Sequence, residues 1–394
     1  MLQLSFVNFG KDSYIFVEGK PCTEKFYIIK SGKVRCVRER QVVPPVYLGP
    51  GDFIGVIPCM TGHNQYETVV AETDVVAIAV KRDQYSDLIQ QNTPVAMKII
   101  RAFANKMRTM NEQLTHFSLG IHTNSTPEQI FSVANYYDNK GDVEPAIFAY
   151  YQYLKACPQG IYCENAKKRF IQLKAYSKNT KFEPSNDIIR TYPKNSMIIC
   201  ECQNGEDMFI IQEGQVKITK VVDNNEVILA VLKKGDFFGE MALLEDKPRS
   251  ASAIAFEDCS LMVVNRRNFD QMVSSQSKLV ARLTITLADR LWAMVRQLDN
   301  TAIQNPVNKM IDMLSLQLEK EKFSIQNNVK ISKRFDFTPQ DLANMCGISK
   351  NEQPNAIMQF LKNSLIKLDD RGKIFITDSV EVLKSAEFFR KQLT

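Results

Sequence analysis

The chain has 394 residues, of which 44% are hydrophobic and 24% are charged, and its formal net charge is +6. Because a single hydrophobic core rarely grows beyond about 250 residues, this length predicts two to four domains. The composition is typical of a soluble globular protein, and the modest positive charge permits an anionic partner without requiring one.

The residue pattern argues against a membrane protein, a metalloprotein and an enzyme. No apolar run approaches the roughly 18 residues that span a bilayer, and the N-terminus lacks a signal peptide's basic flank and cleavage site, so we expect a cytoplasmic location without a membrane partner. The nine cysteines lack paired zinc spacing and are expected to be reduced. Since none of the three histidines (His63, His116, His122) is near another metal-type ligand, we expect no metal cofactor. Without a nucleophile and base pair or a Walker loop, we expect no catalytic activity.

The chain contains a duplication. Residues 12–34 align without gaps on residues 194–216, and the segment GDFIG at 51–55 aligns on GDFFG at 235–239. Both copies alternate short β-branched and aromatic runs with glycine turns at a spacing of about eight to twelve residues. This pattern predicts an antiparallel β-roll in each copy rather than a parallel sheet.

Each copy then ends in a helical stretch, over residues 94–114 and residues 279–298. Apolar side chains at spacings of three and four place a single apolar stripe on each predicted helix. Such a stripe either covers the β-roll of its own copy or pairs with the same helix of a second subunit, and the pattern does not separate the two. The stripe residues are Val95, Ile99, Phe103, Met107, Met110 and Leu114 in the first copy, and Val280, Leu283, Leu287, Leu291, Met294 and Leu298 in the second.

Residues 127–158, between the copies, have the spacing of one tetratricopeptide repeat. Small residues stand where two helices would cross, aromatic residues stand between them, and Pro158 follows the second helix. A third helix over residues 162–177 would cap the pair, and residues 179–186 are expected to form a linker. Because one helix pair cannot bury its apolar face alone, we expect a helical spacer that packs against one or both β-rolls, with recognition of a protein partner as the alternative.

The segment at 238–252 (FGEMALLEDKPRSAS) places one carboxylate and one guanidinium nine residues apart on a glycine-led turn. Arg249 can donate paired hydrogen bonds to a phosphate, and Glu240 can accept a ribose 2′-hydroxyl. Gly239 allows close backbone approach, and residues 240–244 can form a short helix whose first amides face the anion. A surface turn with an incidental salt bridge is the alternative.

This segment resembles the phosphate-binding cassette of the cyclic nucleotide-binding domain. The resemblance implies a cyclic nucleotide, cAMP or cGMP, as regulatory ligand, and Ser250 stands at a position that does not decide the base. A cyclic dinucleotide remains an alternative. The resemblance also implies that the base lies against the second helix. The predicted ligand-binding residues are Phe238, Gly239, Glu240, Met241, Ala242, Arg249, Ser250, Ala251, Thr286, Asp289 and Arg290.

The first copy differs from the second at this segment. Val56 replaces the carboxylate, and the arginine position falls near Gln65 with no basic residue close by. Burying a phosphate without a cation costs several kcal/mol. We therefore predict that the first copy has lost its ligand site and is structural or dimerising. A different ligand at His63 and Tyr66 is the alternative.

The C-terminal segment has the pattern of a helix-turn-helix. A helix over residues 307–319 precedes residues 337–349 (FTPQDLANMCGIS), in which Ala343 suits a helix crossing and Gly347 suits a turn with positive φ. Leu365 begins a two-stranded hairpin that turns at residues 370–372 and returns through residue 377. This order resembles the winged helix-turn-helix of the catabolite activator (Crp/Fnr-type) regulators.

The resemblance implies double-stranded DNA as a partner. Pro354 fits only the first turn of a helix, so the recognition helix is expected to begin near Gln353, with Lys350 and Asn351 in the preceding turn. Ionisable residues between 338 and 364 cancel, so phosphate contacts would come from Lys330, Lys333, Arg334 and the hairpin. A winged helix used only for protein contacts is the alternative. The predicted DNA-binding residues are Thr338, Gln340, Ser349, Lys350, Asn351, Gln353, Asn355, Arg371 and Lys373.

The sequence thus predicts an α+β multidomain protein with two cyclic-nucleotide-binding β-rolls. The domains are expected at residues 1–118 (first β-roll and helix), 119–180 (tetratricopeptide-like spacer), 181–302 (second β-roll and dimerisation helix) and 303–394 (winged helix-turn-helix). The resemblance implies a homodimeric transcription regulator in which nucleotide in the second β-roll controls DNA binding allosterically. The alternative is a signalling adaptor whose winged helix and spacer contact protein partners.

Overall fold

A computed structural model describes residues 5–38, 44–119, 126–178, 180–222, 224–240, 247–265, 268–269, 277–321, 323 and 330–392. The chain divides into two compact units. Unit 1 comprises Met1–Gln91, Thr109–Ile121 and Leu287–Thr394, and unit 2 comprises Asn92–Arg108 and His122–Thr286. In the described part of the chain, no helix is long and apolar enough to cross a membrane. None of the nine cysteines, all of which lie in the described ranges, is joined in a disulfide.

The first β domain belongs to unit 1. Its strands are β1 (Ser5–Phe9), β2 (Tyr14–Phe16), β3 (Lys25–Ser31), β4 (Val34–Val37), β5 (Val46–Leu48), β6 (Phe53–Ile54), β7 (Thr68–Ala71) and β8 (Val75–Lys81). They form two antiparallel sheets with the orders β1-β8-β3-β6 and β2-β7-β4-β5. Helix α1 (Val56–Thr61) lies between β6 and β7, and α2 (Tyr85–Gln91) follows β8. The core includes Phe16, Ile29, Val34, Ile54 and Val69.

The second β domain belongs to unit 2 and repeats this plan. Its strands are β9 (Ile189–Tyr192), β10 (Met197–Ile199), β11 (Met208–Glu213), β12 (Val216–Val222), β13 (Asn225–Leu232), β14 (Phe237–Phe238), β15 (Ser252–Ala255) and β16 (Cys259–Val264). The antiparallel sheets have the orders β14-β11-β16-β9 and β10-β15-β12-β13. The core includes Ile199, Phe209, Val216, Phe238 and Leu261.

The two copies match less regularly than the gapless alignment predicts. Asp12 and Asn195 both have a positive φ, of 65° and 66°. Each donates its backbone N–H to the carbonyl at the end of the neighbouring strand, Ala71 or Ala255. The alignment paired Asp12 with Lys194, but Asn195 occupies the equivalent turn. The glycine turns at Gly32 and Gly214 correspond as the alignment has them. The segment between the two turns is therefore one residue shorter in the second copy.

Three helices between the β domains pack on the second one. Helices α4 (Gln129–Lys140), α5 (Val143–Ala156) and α6 (Cys163–Lys174) follow α3 (Thr93–Leu119). Their buried tyrosines share a core with Met197, Val221 and Ile254 of unit 2. The Tyr137 hydroxyl also donates to Glu226 Oε1 at 2.8 Å. The apolar face that one helix pair cannot bury alone is therefore covered by a β-sheet, because aromatic side chains reach across the contact.

Helix α7 (Ser277–Ala302) continues into α8 (Pro306–Lys320). No residue between 287 and 302 is exposed. Seven of these residues are half-buried, and the pairing of α7 with a second subunit stays a prediction.

The C-terminal part of unit 1 contains β17 (Lys333–Arg334), α9 (Pro339–Met345), α10 (Gln353–Phe360), β18 (Ile366–Leu368), β19 (Ile374–Ile376) and α11 (Ser379–Lys391). The sheet order is β17-β19-β18, so the predicted two-stranded hairpin gains a third strand from the segment before α9. Buried Leu342, Ala343, Phe360, Ile374 and Ile376 occupy the centre of this part.

Candidate functional site

The turn after β14 brings the backbone against a guanidinium. Gly239 has a φ of +81°, and a Cβ at this position would lie 2.9 Å from Arg249 Nη1 and 3.0 Å from the Asp207 carbonyl. A side chain is therefore excluded both by backbone conformation and by space. Phe238 fixes the strand end, because its ring stacks on Phe209 of β11 with centroids 5.1 Å apart.

Arg249 is held in place by its backbone and is 5% exposed. Its N–H donates to the Gln203 carbonyl at 3.0 Å, and its carbonyl accepts from the Cys202 N–H at 2.9 Å. Nη1 donates to the Gly239 carbonyl at 2.7 Å. Nε is buried and has no hydrogen-bond partner among the residues described. Such an unsatisfied donor costs about 1–3 kcal/mol, and it is available to an anion.

The charge of Arg249 survives its burial. Removal from water lowers the pKa of Arg249 to about 10, and the charges of Asp207 and Glu240 act in the opposite direction. The guanidinium therefore remains a cation at neutral pH, in a poorly solvated environment where its attraction for a phosphate is strengthened.

Glu240 follows the glycine turn and is 2% exposed. Its carboxylate lies near enough to Arg249 to act on the pKa of that guanidinium. Ser250 and Ala251 are half-buried immediately before β15. The structure thus brings together Phe238, Gly239, Glu240, Arg249, Ser250 and Ala251; the predicted Met241 and Ala242 lie outside the described residues.

Two charged residues of this site were missed by sequence reasoning. Asp207, on the loop before β11, contributes a negative charge beside Arg249. It also accepts a hydrogen bond from Arg190 Nη1 at 2.9 Å. The alignment of residues 194–216 marked the repeat, but nothing in the sequence marked the loop before β11 as part of the site.

A cavity of about 220 Å³ adjoins Arg249. Ile199, Phe209 and the loop at 203–207 line one side of it. The other side is formed by Phe148, Gln152 and Lys155 of α5 together with residues 181–185. Helix α5 and the predicted linker therefore line the cavity next to the Arg249 guanidinium. The residue spacing in these two segments gave no indication of this role.

The predicted base-contacting residues fall in different units. Thr286 is a half-buried residue of unit 2, whereas Asp289 and Arg290 belong to unit 1. Their contact with a ligand base stays a prediction.

Gln65 occupies the position in the first domain that Arg249 has in the second. Its N–H donates to the Lys20 carbonyl at 2.8 Å, and its carbonyl accepts from the Gly19 N–H at 2.7 Å, the same backbone pairing as at Arg249. Val56, in the carboxylate position, is 4% exposed and begins α1 after Gly55, whose φ is +74°. A neutral amide and an aliphatic side chain thus replace the charged pair.

Several predicted DNA-binding side chains are used inside unit 1. Gln353 is 7% exposed, and its Nε2 donates to Asn344 Oδ1 at 3.0 Å and to the Ile348 carbonyl at 2.7 Å. Its Oε1 accepts from Gln340 Nε2. Thr338 caps α9 by accepting from the Asp341 N–H at 3.2 Å. Both donor hydrogens of Gln353 are occupied, so the prediction that its side chain binds DNA is corrected: its amide stabilises the turn.

The remaining predicted residues are accessible. Ser349, Lys350, Asn351, Asn355 and Arg371 are exposed, and Lys373 is half-buried. Helix α10 begins at Gln353, as the proline position predicts.

The basic residues around this segment have carboxylate partners. Lys330 pairs with Asp378 at 3.0 Å and Lys373 with Asp336 at 2.9 Å. Lys333 pairs with Glu321, and Arg334 with Asp369. Exposed pairs of this kind contribute about 0–1 kcal/mol each and are readily exchanged for phosphate.

Comparison with known proteins identifies the two β domains. Residues 6–92 and 189–276 each match the family "Cyclic nucleotide-binding domain". The CRP-like cAMP-activated global transcriptional regulator of Mycobacterium tuberculosis is 24% identical over 196 residues, which is 50% of this chain and 86% of that protein. The chain thus contains two cyclic nucleotide-binding domains and is similar to CRP-like regulators.

Two further matches are partial. Human cGMP-dependent protein kinase 2 is 36% identical over 94 residues, which is 23% of this chain and 12% of the kinase. The solved structure of a CooA mutant from Carboxydothermus hydrogenoformans is 16% identical, covers 51% of this chain and 87% of its own, and has a TM-score of 0.42.

Proposed function

We propose that this protein is a cyclic-nucleotide-responsive transcription regulator with one ligand site, in the second β domain. The observation that carries the proposal is the buried Arg249, which has an unpartnered Nε and lies beside Glu240 and the Gly239 turn. A cyclic monophosphate supplies the missing acceptor and a negative charge for the guanidinium, and its 2′-hydroxyl supplies a donor for the carboxylate.

The ligand would be held by the residues that the structure gathers at the turn. Arg249 and Ser250 would contact the phosphate together with the amides after Gly239, and Glu240 would contact the ribose. Thr286, Asp289 and Arg290 would contact the base. cAMP or cGMP suits these groups equally, because Ser250 does not discriminate between the bases.

The first domain would bind no nucleotide of this kind. Gln65 stands where the phosphate-binding cation would be, and Val56 stands where the ribose-binding carboxylate would be. A phosphate buried there would have no charge partner from these two positions.

We further propose that residues 303–394 form a winged helix-turn-helix that binds DNA, and that residues 119–180 form a tetratricopeptide-like spacer. In this proposal Lys350 and Asn351, in the turn before α10, and Asn355, in its first turn, reach base edges or phosphates. Arg371 and Lys373 of the hairpin contact the DNA backbone. Gln353 is not among the reading residues. The proposal includes a homodimer, as the resemblance to CRP-like regulators implies, in which α7 pairs with the same helix of a second subunit.

Ligand binding is tested by calorimetric titration of the full chain with cAMP and with cGMP. We expect one site per chain, and Arg249→Ala should weaken binding by about thirty-fold or more, equivalent to 2 to 5 kcal/mol. Gln65→Ala is the matched control and should leave the affinity unchanged. Two equal sites, or binding that survives Arg249→Ala, would overturn the assignment.

DNA binding is tested by selection from a random duplex library, at low salt, with and without nucleotide. We expect an enriched sequence whose binding is lost in the double variant Lys350→Ala/Asn351→Ala and retained in Lys384→Ala, a change at an exposed position on α11.

A signalling adaptor is the second candidate, and one observation favours it. The amide of Gln353 and the charges of Lys330, Lys333, Arg334 and Lys373 are all satisfied within the chain. No enrichment in the library selection under either condition would support the adaptor and contradict the regulator.

A further inference from the structure

Arg108 of helix α3 contacts the arginine-bearing turn of the second β domain. Residues 92–108 of α3 belong to unit 2, the same compact unit as the second β domain. Both terminal nitrogens of Arg108 donate to the Pro248 carbonyl, Nη1 at 3.3 Å and Nη2 at 3.4 Å. Pro248 is the residue immediately before Arg249, so the contact falls one peptide unit from the proposed phosphate-binding side chain.

Arg108 also lies near the turn whose backbone pairs with Arg249. Burial raises the pKa of the Cys202 thiol to about 12, and the positive charge of Arg108 opposes that rise. Cys202 donates its backbone N–H to the Arg249 carbonyl. Arg108 therefore lies close to Pro248, which precedes Arg249, and to Cys202, whose backbone N–H bonds to the Arg249 carbonyl.

We propose that Arg108 is a positioning residue of the ligand site in the second domain, and that α3 is thereby coupled to nucleotide binding. The Pro248 carbonyl and the Arg249 N–H belong to one planar peptide unit, so fixing the carbonyl fixes the start of the Arg249 backbone. Two N–H groups of one charged guanidinium converge on this carbonyl oxygen, and although each bond is long, together they favour one orientation of the peptide. The inference rests on the nucleotide-binding function proposed for the second domain.

The charges give the direction of the coupling. Arg108 and Arg249 place two cations near the same turn, and their repulsion is reduced by a bound anion. Nucleotide binding therefore favours the position of α3 seen here, and by reciprocity the docking of α3 favours nucleotide binding. Residues 92–108 of α3 thus contribute a cation beside the proposed ligand site, within the same compact unit.

Arg108→Ala in the full chain tests this coupling, with Arg108→Lys retaining the charge but not the paired donors. Arg101→Ala is the matched control, because Arg101 is an exposed arginine on the same helix and in the same unit. We expect Arg108→Ala to weaken cAMP binding by about five- to fifty-fold, Arg108→Lys to weaken it less, and Arg101→Ala to leave it unchanged.

Hydrogen exchange separates positioning from ligand binding. Without nucleotide, Arg108→Ala should raise amide exchange in residues 247–255, whereas Arg101→Ala should not. With cAMP, exchange in residues 93–108 should fall in the wild type and in Arg101→Ala but not in Arg108→Ala.

The proposal is overturned if Arg108→Ala keeps its affinity within twofold and shows wild-type exchange in both segments. A wild-type chain that binds neither cAMP nor cGMP contradicts the proposed function, whereas unchanged exchange in residues 247–255 of nucleotide-free Arg108→Ala contradicts the positioning role separately.

Discussion

The imidazole of His63 stacks on the indole of Trp292, with ring centroids 3.5 Å apart and an interplanar angle of 9°. His63 lies in the first domain, two residues before Gln65, and Trp292 is 5% exposed on α7. Seven residues further along the same helix, Asp299 Oδ1 accepts from Arg38 Nη2 at 2.6 Å. Positions seven apart share one helix face. The first domain therefore holds one face of α7 through an aromatic contact and an ion pair, beside the position of Gln65.

His63→Ala should change the fluorescence of the chain, because Trp292 is its single tryptophan. Loss of the stacked ring opens one face of the indole to water, so the emission maximum should move to longer wavelength. The free energy of unfolding, measured in urea, should fall by about 0.5 to 1.5 kcal/mol. Asn64→Ala, at the exposed neighbouring position, should change neither quantity. An unchanged emission maximum in His63→Ala would show that the stack does not persist in solution.

Gly239→Ala should damage the ligand site more than the fold elsewhere. The new Cβ would lie 2.9 Å from Arg249 Nη1 on a backbone with φ of +81°. We expect a loss of about 1 to 3 kcal/mol in unfolding free energy, and cAMP affinity lower by about tenfold as the guanidinium is displaced.

Gly141→Ala separates backbone strain from crowding. Gly141 has nearly the same φ, +80°, with nothing within 4 Å of the added carbon. It should cost about 1 to 2 kcal/mol of stability and leave cAMP affinity unchanged. Equal effects of the two substitutions on affinity would contradict the close packing between Gly239 and Arg249.

Local patterns predicted the elements and the cassette, whereas contacts between distant segments could not be predicted. The glycine turns, the start of α10 at Gln353 and the equivalence of Gln65 with Arg249 follow from residue type and short spacing. The cavity wall contributed by Phe148, the Arg108 contact and the burial of Gln353 depend on how separate elements pack. A polar side chain at a helix start has the same sequence pattern whether it faces a base edge or a neighbouring carbonyl.

Gln353→Ala should destabilise the C-terminal part of the chain. It would leave the Ile348 carbonyl and the amides of Asn344 and Gln340 without their shared partner, at a cost of about 1 to 3 kcal/mol by urea denaturation. Asn355→Ala, on the exposed side of the same helix, should stay within about 0.5 kcal/mol of wild type. If Asn355 reads DNA as proposed, its substitution should lower affinity for the selected duplex without this loss of stability. A Gln353→Ala chain as stable as wild type would refute the internal role of the amide.

Asp312 should be the most sensitive carboxylate in the C-terminal helices. It is fully buried and accepts from Arg390 Nη1 at 2.7 Å, Asn300 Nδ2 at 3.0 Å and Arg296 Nη2 at 3.3 Å. Removing its charge leaves Glu319 as the carboxylate that still pairs with both Arg296 and Arg390, so Asp312→Asn should cost about 3 kcal/mol or less of unfolding free energy at neutral pH. Asp370→Asn, at an exposed position, should have little effect.

The pH dependence of this network follows from the sign of the Asp312 shift. Burial alone raises the pKa of Asp312, but Arg296 and Arg390 outweigh it and the pKa is lowered below its ordinary value of 3.8. Stability from Asp312 is therefore present above that ordinary value and is lost as the pH falls through the lower folded value. The unfolding free energy of the wild type and of Asp312→Asn should be measured at decreasing pH. The difference between the two proteins should shrink as the Asp312 contribution is lost. A difference that does not change with pH would contradict the shift.

Glu201 should produce the opposite dependence at higher pH. Burial raises its pKa from 4.5 to about 7, although Lys220 opposes the rise. The folded chain therefore binds more protons than the unfolded chain between these values, so stability should fall as the pH rises through this interval, by at most about 3 kcal/mol. Lys220 Nζ lies 3.6 Å from Glu201 Oε1, so both must be replaced to avoid an unpaired buried cation. Urea denaturation of wild type and of Glu201→Gln/Lys220→Met should be compared across this interval. The double variant should lose this pH dependence of the unfolding free energy. Histidine contributions are the same in both proteins and cancel in the difference. Equal slopes of unfolding free energy against pH would show that Glu201 is not protonated in the folded chain.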